Sequence, residues 1–254
     1  MTDPMTVWEM LAVFMAGIGA GTVNTIVGSG TLITFPVLLA VGYPPVLANV
    51  SNSIGLTPGS ISGAYGYRAE LAGQGRRLVS LTVVSMLAAL VGGLLLLRLP
   101  AEAFRGIVPV LIAVALVLVV LQPRLAARLA QPHDPRSRGG LALHAGVFGS
   151  GVYGGYFGAA QGVLLIAILG VFLNESLQRI NAAKNVLAGF VNGTAALLFI
   201  MLTDVAWVAA GLIAVGSVLG GIVGASVGRR IPPGLLRGLI VVVGALAIVK
   251  IVLG

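Results

Sequence analysis

The apolar chain is interrupted at matching places in its two halves by two glycine-rich stretches, Ala20-Gly-Thr-Val-Asn-Thr-Ile-Val-Gly-Ser-Gly-Thr31 and Ser150-Gly-Val-Tyr-Gly-Gly-Tyr-Phe-Gly-Ala-Ala-Gln161. Each stretch is followed by an apolar segment that is too short to cross a bilayer comfortably, since a crossing helix needs about 20 residues. Short, glycine-interrupted segments at corresponding positions of two halves indicate a transport site near the middle of the membrane. The two stretches therefore predict short, broken or re-entrant helices at the start of each half.

Composition excludes a soluble protein. Of the 254 residues, 58% are apolar, a further 37 are Gly, and only 9% are charged, whereas a soluble domain carries about 25% charged residues. No single core could hide this much hydrocarbon from water, so the surrounding medium must be lipid. We predict an all-α polytopic protein of the cell membrane, with the lipid bilayer as its environment.

The charge distribution and the absence of cysteine limit the kinds of ligand and site that the chain can have. The net charge of +8 comes from basic residues at the ends of apolar runs, which is typical of cytoplasmic loops and not of a nucleic-acid surface. The absence of Cys excludes disulfides, thiolate metal sites and cysteine nucleophiles. Residues 1–6 lack the basic region of a signal peptide, so we expect the first apolar run to remain in the mature protein.

Two related halves emerge from the spacing of charges and turns. Arg98–Gly106 matches Arg230–Gly238 at an offset of 132, which also pairs Asn49 with Asn181, and an offset of 130 pairs Gly28 with Gly158. We therefore predict a first repeat at 1–121, a basic linker at 122–140 and a second repeat at 141–254. The ten predicted segments lie at about 7–27, 31–42, 46–66, 78–97, 104–121, 141–157, 161–173, 180–202, 205–228 and 235–253. Pro58 is predicted to break the third segment.

The distribution of basic loops predicts that the repeats are inverted. Loop 67–77 is more basic than its partner near 203–204, whereas loop 229–237 is more basic than its partner 98–105. By the positive-inside rule the linker 122–140 is then cytoplasmic and both termini lie outside. Charge alone does not decide whether the first two segments of each repeat cross the membrane or re-enter it.

Candidate site residues come from the interrupted segments and from the polar third segment of each repeat. Helix N-termini favour anions, and Ser29, Thr31 and Gln161 lie close to the predicted helix starts. In the third segments, Ala48–Ser53 aligns with Ile180–Asn185. The full set is Asn24, Gly28, Ser29, Gly30, Thr31, Asn49, Ser53, Thr57, Tyr153, Tyr156, Gln161, Asn181, Lys184 and Asn185.

Each of these residues also has a purely structural interpretation. Asn49, Ser53 and Thr57 share one helical face at i, i+4 and i+8, and such polar residues serve equally well as interhelical hydrogen-bond partners. Lys184 lies about one turn inside its segment, where its side chain could extend to the interface; we favour pairing with an anion.

Carboxylates are missing from the middle of every segment. All seven acidic residues lie at segment ends or in loops, which argues against a cation transporter or an intramembrane metalloenzyme. No catalytic triad or metal-ligand spacing is present either. We expect no enzyme activity, no bound metal and no cofactor.

Three motifs of the first half resemble a known family. They are Gly21-Thr-Val-Asn-Thr-Ile-Val-Gly-Ser-Gly-Thr-Leu-Ile-Thr-Phe-Pro36, Gly42-Tyr-Pro-Pro45 and Ala48-Asn-Val-Ser-Asn-Ser53, and they are similar to those of the sulfite exporter TauE/SafE family of permeases. The resemblance implies transport of small oxyanions such as sulfite or sulfoacetate. An anion-selective channel, an uptake permease for small carboxylates or organosulfur anions, and a homo-oligomeric assembly stay open; an enzyme acting on lipid-linked substrates is disfavoured because catalytic acids are missing.

Overall fold

A computed structural model describes residues 5–129, 140–227 and 233–253 of the chain. Within these ranges every regular element is helical, as the sequence predicts. The elements are α1 (Val7–Ile26), α2 (Thr31–Ala40), α3 (Pro45–Gly66), a 3₁₀ turn (Arg68–Leu71), α4 (Gly75–Arg98), α5 (Ala101–Leu129), α6 (Leu141–Tyr156), α7 (Gln161–Phe172), α8 (Leu177–Leu202), α9 (Trp207–Val227) and α10 (Pro233–Leu253).

Five of the helices are long and apolar enough to cross a membrane. They cover Val7–Ile26, Gly75–Arg98, Ala101–Arg124, Leu177–Leu202 and Trp207–Ser226, with mean hydropathy between 1.3 and 2.7. At 1.5 Å per residue each reaches about 30 Å, the thickness of the hydrocarbon core. The chain is therefore a multi-pass, all-helical membrane protein.

The glycine-rich stretches form the turns of two helical hairpins. Gly30 packs beside Ala20, and further along α2 Ile33 packs near Gly19, so α2 runs back along α1. In the second half, Ile168 of α7 likewise packs against Gly146 of α6. In both halves the short second helix turns back along the first, in the manner of a re-entrant hairpin.

Small residues set the direction in which neighbouring helices pack. Gly17 lies against Ile213 and Gly224 lies against Thr22 and Thr25, so α1 and α9 are parallel. A Cβ at Gly224 would collide with the backbone of Thr22, and a Cβ at Gly17 would lie only 3.1 Å from the backbone of Ile213, so glycine allows these helices to pack closely. By the same kind of contact α3 is parallel to α9, and α4 is parallel to α6. Helix α4 is also parallel to α8, because Gln74 donates to the carbonyl of Arg179 near their first turns and Gly93 lies beside Leu198 near their last turns.

Between these two groups, α3 and α8 cross in opposite directions. Gly193 lies near Thr57, whereas the earlier Gly189 lies near the later Ser60. Most contacts between the halves occur twice, once with each of two equivalent helices. Helices α1 and α3 of the first half pack on α9, and their equivalents α6 and α8 pack on α4. In the same way α2 packs on α10, and its equivalent α7 packs on α5. The α3–α8 crossing thus lies at the centre of the bundle.

One expectation about helix ends is wrong, and one helix is longer than its predicted apolar segment. Helix α3 continues through Pro58 to Gly66, because close packing of Gly55 and Gly59 on α9 holds the helix where a proline removes one backbone hydrogen bond. Helix α5 continues beyond 121 to Leu129, because a helix can extend past the hydrocarbon where its side chains become basic. Of the predicted linker 122–140, residues 130–139 lie outside the described ranges, as do 228–232 of the predicted loop 229–237.

Candidate functional site

The tips of the two hairpins meet inside the protein. The backbone N–H of Gly162, at the start of α7, donates to the carbonyl of Gly28 in the α1–α2 turn (3.0 Å). Gly28 and Gly158 have φ angles of +86° and +77°, a region that favours glycine. The predicted turns are therefore real, and they lie in backbone contact with each other in the buried centre of the bundle.

This contact changes one expectation about the helix starts. Amides at the beginning of α2 and α7 were expected to be free for an anion, but the N–H of Gly162 is taken by Gly28. The N–H groups of Leu32 and Ile33 donate to the carbonyls of Ser29 and Gly30 (3.1 and 2.9 Å). The amides of Leu32, Ile33 and Gly162 are therefore satisfied by tight local bonds and by the opposite hairpin, and they are not free to bind an anion.

The polar third helices cap the ends of the hairpins' first helices. Asn49 of α3 donates to the carbonyl of Tyr156, at the end of α6 (3.0 Å). Its repeat partner Asn181, on α8, donates to the carbonyl of Thr25, at the end of α1 (3.2 Å). The last carbonyls of a helix that ends within the bilayer have no water to bind, so these amides carry out the interhelical role that was the alternative interpretation.

Lys184 is the cation of this buried region. Its side chain is fully buried, and its Nζ donates to the carbonyls of Asn24 (2.8 Å) and Thr25 (3.1 Å). Asn185 also donates to the carbonyl of Thr25 (3.3 Å). The ammonium group does not extend to the interface; it binds the negative end of the α1 helix dipole.

No carboxylate balances Lys184 among the described residues. The ion pairs found there are those of Glu175 with Arg77 and with Arg179. A buried charge is costly unless it is paired, and two neutral carbonyls offset only part of that cost. Lys184 is therefore a buried amine whose positive charge, when it is protonated, has no negative partner among the described residues.

A network that the sequence did not predict joins α2 to α3. Asn52 donates from its amide nitrogen to the hydroxyl of Thr31 (3.2 Å), and the hydroxyl of Thr34 donates to the amide oxygen of Asn52. Asn52 aligns with Lys184 at the offset of 132, and this alignment is the sequence feature that could have identified Asn52. The side chain of Asn52 thus holds the first turn of α2 in place. Lys184 does the same for the last turn of α1.

A second polar cluster lies at the α3–α8 crossing. The amide nitrogens of Asn24 and Asn192 both donate to the hydroxyl of Ser60, at 3.2 and 3.4 Å, and Ser60 donates to the carbonyl of Leu56 (3.1 Å). Ser60 and Asn192 occupy equivalent positions at the offset of 132. Residues that are equivalent in the two halves thus bind each other here.

Beside Ser60 lies an open cavity of about 670 Å³, which we call the α3–α8 cavity; its wall includes the exposed side chains of Ile61, Phe190 and Leu197. Its wall is mainly apolar, with hydrogen-bonding side chains at Thr57, Ser60, Asn185 and Thr194. Much of the wall consists of residue pairs that are equivalent at the offset of 132, namely Ile54/Val186, Thr57/Gly189, Pro58/Phe190, Ile61/Gly193 and Ala64/Ala196. The cavity is therefore formed by the same faces of the two equivalent helices.

The other predicted residues are distributed around these features. Ser53 and Thr57 donate to the carbonyls four residues earlier in their own helix (2.9 Å each), and Tyr153 donates to the carbonyl of Ala159 (2.6 Å). Gly30 is the residue preceding α2. Of the predicted set, Thr57 and Asn185 line the cavity.

Several predicted residues keep buried polar atoms without a hydrogen-bond partner among the described residues. They are Ser29 Oγ, Asn49 Oδ1, Tyr156 OH, Gln161 Nε2 and Asn181 Oδ1. Buried polar atoms are usually paired, so this concentration near the hairpin tips marks a region with unused hydrogen-bonding capacity.

An ion cluster closes the bundle at the end where α4, α6 and α8 begin. Glu175 binds Arg77 of α4 (2.9 Å) and Arg179 of α8 (2.5 Å). Partial burial raises the pKa of the Glu175 carboxyl, but the hydrogen bonds from the two guanidinium groups outweigh burial, so this pKa lies below its usual value.

The lowered pKa gives a prediction for acid stability. A carboxyl with a lower pKa in the folded state stabilises the fold above its unfolded-state pKa, and this contribution is lost as the pH falls through the folded-state value. We expect Glu175→Gln to lower the melting temperature in detergent at neutral pH and to flatten its fall with acid. Glu102→Gln, at an exposed position, is the control; an equal effect of both changes would contradict a specific role of the ion cluster.

A helical membrane protein in which broken helices meet at a buried, positively charged polar site has the architecture of a membrane transporter. Comparison with known proteins agrees with this class. The chain belongs to the sulfite exporter TauE/SafE family, whose model matches residues 13–251.

Individual relatives are described as transporters as well. The chain is 30% identical over 247 residues to the probable membrane transporter protein YfcA of Escherichia coli K12, covering 94% of this chain and 87% of that protein. It is 25% identical over 247 residues to a probable membrane transporter protein of Haemophilus influenzae, covering 96% and 95%. A probable membrane transporter protein, ORF9, of Sinorhizobium sp. is 31% identical over 104 residues, covering 41% of this chain and 40% of that protein.

Proposed function

We propose that this membrane transporter carries small anions, with sulfite or an organosulfonate such as sulfoacetate as substrate. The observation that carries the proposal is Lys184, a fully buried cation without a carboxylate partner among the described residues. A transported anion would supply the missing negative charge. Three of the unused polar atoms near the hairpin tips, Ser29 Oγ, Tyr156 OH and Gln161 Nε2, supply neutral hydrogen-bond donors for the same substrate.

We further propose alternating access between two inverted repeats, 1–121 and 141–254, joined by the linker 122–140. The opposite directions of the α1/α3/α9 and α4/α6/α8 groups support this proposal, as do the reciprocal contacts of the two halves. The α3–α8 crossing would be the pivot, since equivalent residues meet there. In this arrangement the linker and the ion cluster face the cytoplasm, and both termini face outside.

Counterflow in proteoliposomes tests the substrate and the mechanism together. Vesicles loaded with unlabelled anion should accumulate the labelled anion transiently, with saturable kinetics. The panel is sulfite, sulfoacetate, thiosulfate and small carboxylates. Exchange of none of these anions would overturn the proposed function, whereas fast flux that does not saturate would indicate a channel. Exchange of carboxylates alone would indicate a carboxylate permease.

A further inference from the structure

The hydrogen bonds of Lys184 match the donors of a neutral amine. A neutral amine has two N–H donors and a lone pair, whereas an ammonium group has three N–H donors. Two carbonyls accept from Nζ, those of Asn24 (2.8 Å) and Thr25 (3.1 Å), and the described residues provide no third acceptor. The protein by itself therefore satisfies the neutral form completely and the charged form only in part.

The surroundings of Lys184 oppose a lasting charge. The side chain is fully buried, and no carboxylate pairs with it among the described residues. The dipole at the end of α1 favours an ammonium group, but this contribution is smaller than the cost of burying a charge without a counter-ion. We therefore expect the amine to lose its proton when its anion leaves.

The other titratable groups on the helices packed around Lys184 lie at helix ends or in the 3₁₀ turn. Helices α3 and α7 contain no Asp, Glu, Lys, Arg or His. Arg179, five residues earlier in α8, is bound by Glu175, and the hydroxyl of Tyr153 donates to Ala159. The remaining ones are Glu9, Tyr65, Arg68, Glu70, Arg76, Arg77, Arg98, His144 and Tyr156. Tyr156, at the hairpin tip, is a phenol and brings no charge at physiological pH.

A transported anion would be the missing negative partner. Ser29 and Gln161 flank the contact between Gly28 and Gly162, and their Oγ and Nε2 atoms have no hydrogen-bond partner among the described residues. The stem of Lys184 reaches the same contact, since an added Cβ at Gly162 would lie 2.9 Å from its Cδ. An anion held by these donors is expected to lie near Nζ, where a negative charge favours the protonated amine.

We propose that the protein is a proton–anion symporter in which Lys184 carries the proton. The Nζ lone pair takes one proton from water on the side to which the site is open, and the resulting ammonium group pairs with the anion. When the site opens to the other side, the anion leaves and the ammonium group releases that proton to water. Asn52, at the equivalent position of the first repeat, does not ionise, so one proton accompanies each anion. This inference rests on the proposed function and names its coupling ion.

Proton and anion fluxes measured together test the coupling. The substrate is labelled sulfoacetate, whose sulfonate and carboxylate both stay ionised above about pH 6, so a proton that moves with it belongs to the protein. Proteoliposomes that contain a trapped pH-sensitive dye should take up about one proton per anion. With the membrane potential clamped at zero, an acidic exterior should drive accumulation of about tenfold per pH unit, since one proton enters with each anion.

Substitution of Lys184 by Arg tests which group carries the proton. A guanidinium group keeps its proton at every pH used here, so Lys184→Arg should carry the anion with about tenfold fewer protons and without accumulation in a pH gradient. This holds for sulfite as well, which titrates itself, because the variant loses only the proton of the lysine. Arg76→Lys, an equal exchange at an exposed position, is the control and should keep one proton per anion.

The pH dependence of binding gives an independent signature. Only the protonated fraction of Lys184 binds the anion, so the half-saturation concentration in counterflow should rise with pH, by up to about tenfold per unit where the empty amine is neutral. Lys184→Arg should show the same half-saturation concentration across this range. Gel filtration in detergent verifies that each variant is folded. If Lys184→Arg does not fold, the residual flux of Lys184→Met should likewise lack protons.

The outcomes separate the inference from the proposed function. Anion exchange without proton uptake, and without accumulation in a pH gradient, would overturn the symport mechanism alone. Failure of every anion in the panel to exchange would overturn the proposed function as well. Proton coupling that persists in both Lys184 variants would place the proton on another group and would also contradict the inference.

Discussion

Replacement of Lys184 by Met is expected to reduce anion counterflow by about 100-fold at low substrate concentration. The change removes the buried positive charge that a desolvated anion would pair with, and losing one partner of a buried pair costs about 3 kcal/mol or more. The measurement is the initial rate of counterflow in proteoliposomes that contain equal amounts of folded protein.

The fold should tolerate this change. Met has a chain of similar length and no charge to bury, and the carbonyl of Thr25 keeps its bonds from Asn181 and Asn185. The carbonyl of Asn24 loses a donor, which costs about 1–3 kcal/mol, but the cost of burying an ammonium disappears as well. We therefore expect the melting temperature to stay within about 4 °C of the wild-type value.

Two further variants separate charge from packing. Lys184→Arg keeps the charge with a bulkier head and should transport at an intermediate rate. Arg76→Met removes a positive charge from an exposed position in the first turn of α4 and should transport like the wild type. If Lys184→Met also transports at the wild-type rate, Lys184 is only a cap of α1 and the site lies elsewhere.

The sequence predicted the helices and the turns because their causes are local. Glycine at 28 and 158 marks the two turns with positive φ, and hydrophobic length distinguishes α4 and α8 from the short helices α2 and α7. The capping box at the start of α1 is also local, with Thr6 and Glu9 bonded to each other (2.8 and 3.3 Å). Each of these features depends on residues within one or two turns of chain.

The partners of the polar residues could not be predicted in the same way. Lys184 is 160 positions away from its acceptor Asn24, and only the approach of α8 to the end of α1 determines that contact. Asn52 and Ser60 could have been noticed as repeat partners of the polar residues Lys184 and Asn192, but their hydrogen-bond partners depend on how the hairpins cross. Pro58 shows the opposite case, where tertiary packing overrides a strong local signal.

Alanine at Gly162 is expected to destabilise the protein strongly, and this variant tests the contact of the hairpin tips. Its Cβ would collide with Cα of Gly28 and would lie 3.0 Å from the Gly28 carbonyl oxygen and 2.9 Å from Cδ of Lys184. Lysine can shift, but the turn at Gly28 is backbone and cannot rotate away. We expect a loss of about 3 kcal/mol, which lowers the melting temperature by about 6–12 °C.

The matched control is Gly211→Ala in α9, where no atom lies within 4 Å of an added Cβ. Alanine is a better helix former than glycine by about 1 kcal/mol, so this variant should be unchanged or slightly more stable. Gly28→Ala should be worse than Gly162→Ala, because the same collision is combined with a φ of +86° that alanine rarely adopts. Equal melting temperatures for Gly162→Ala and Gly211→Ala would show that the two hairpins do not touch, and a substrate site built on their contact would then have no physical support.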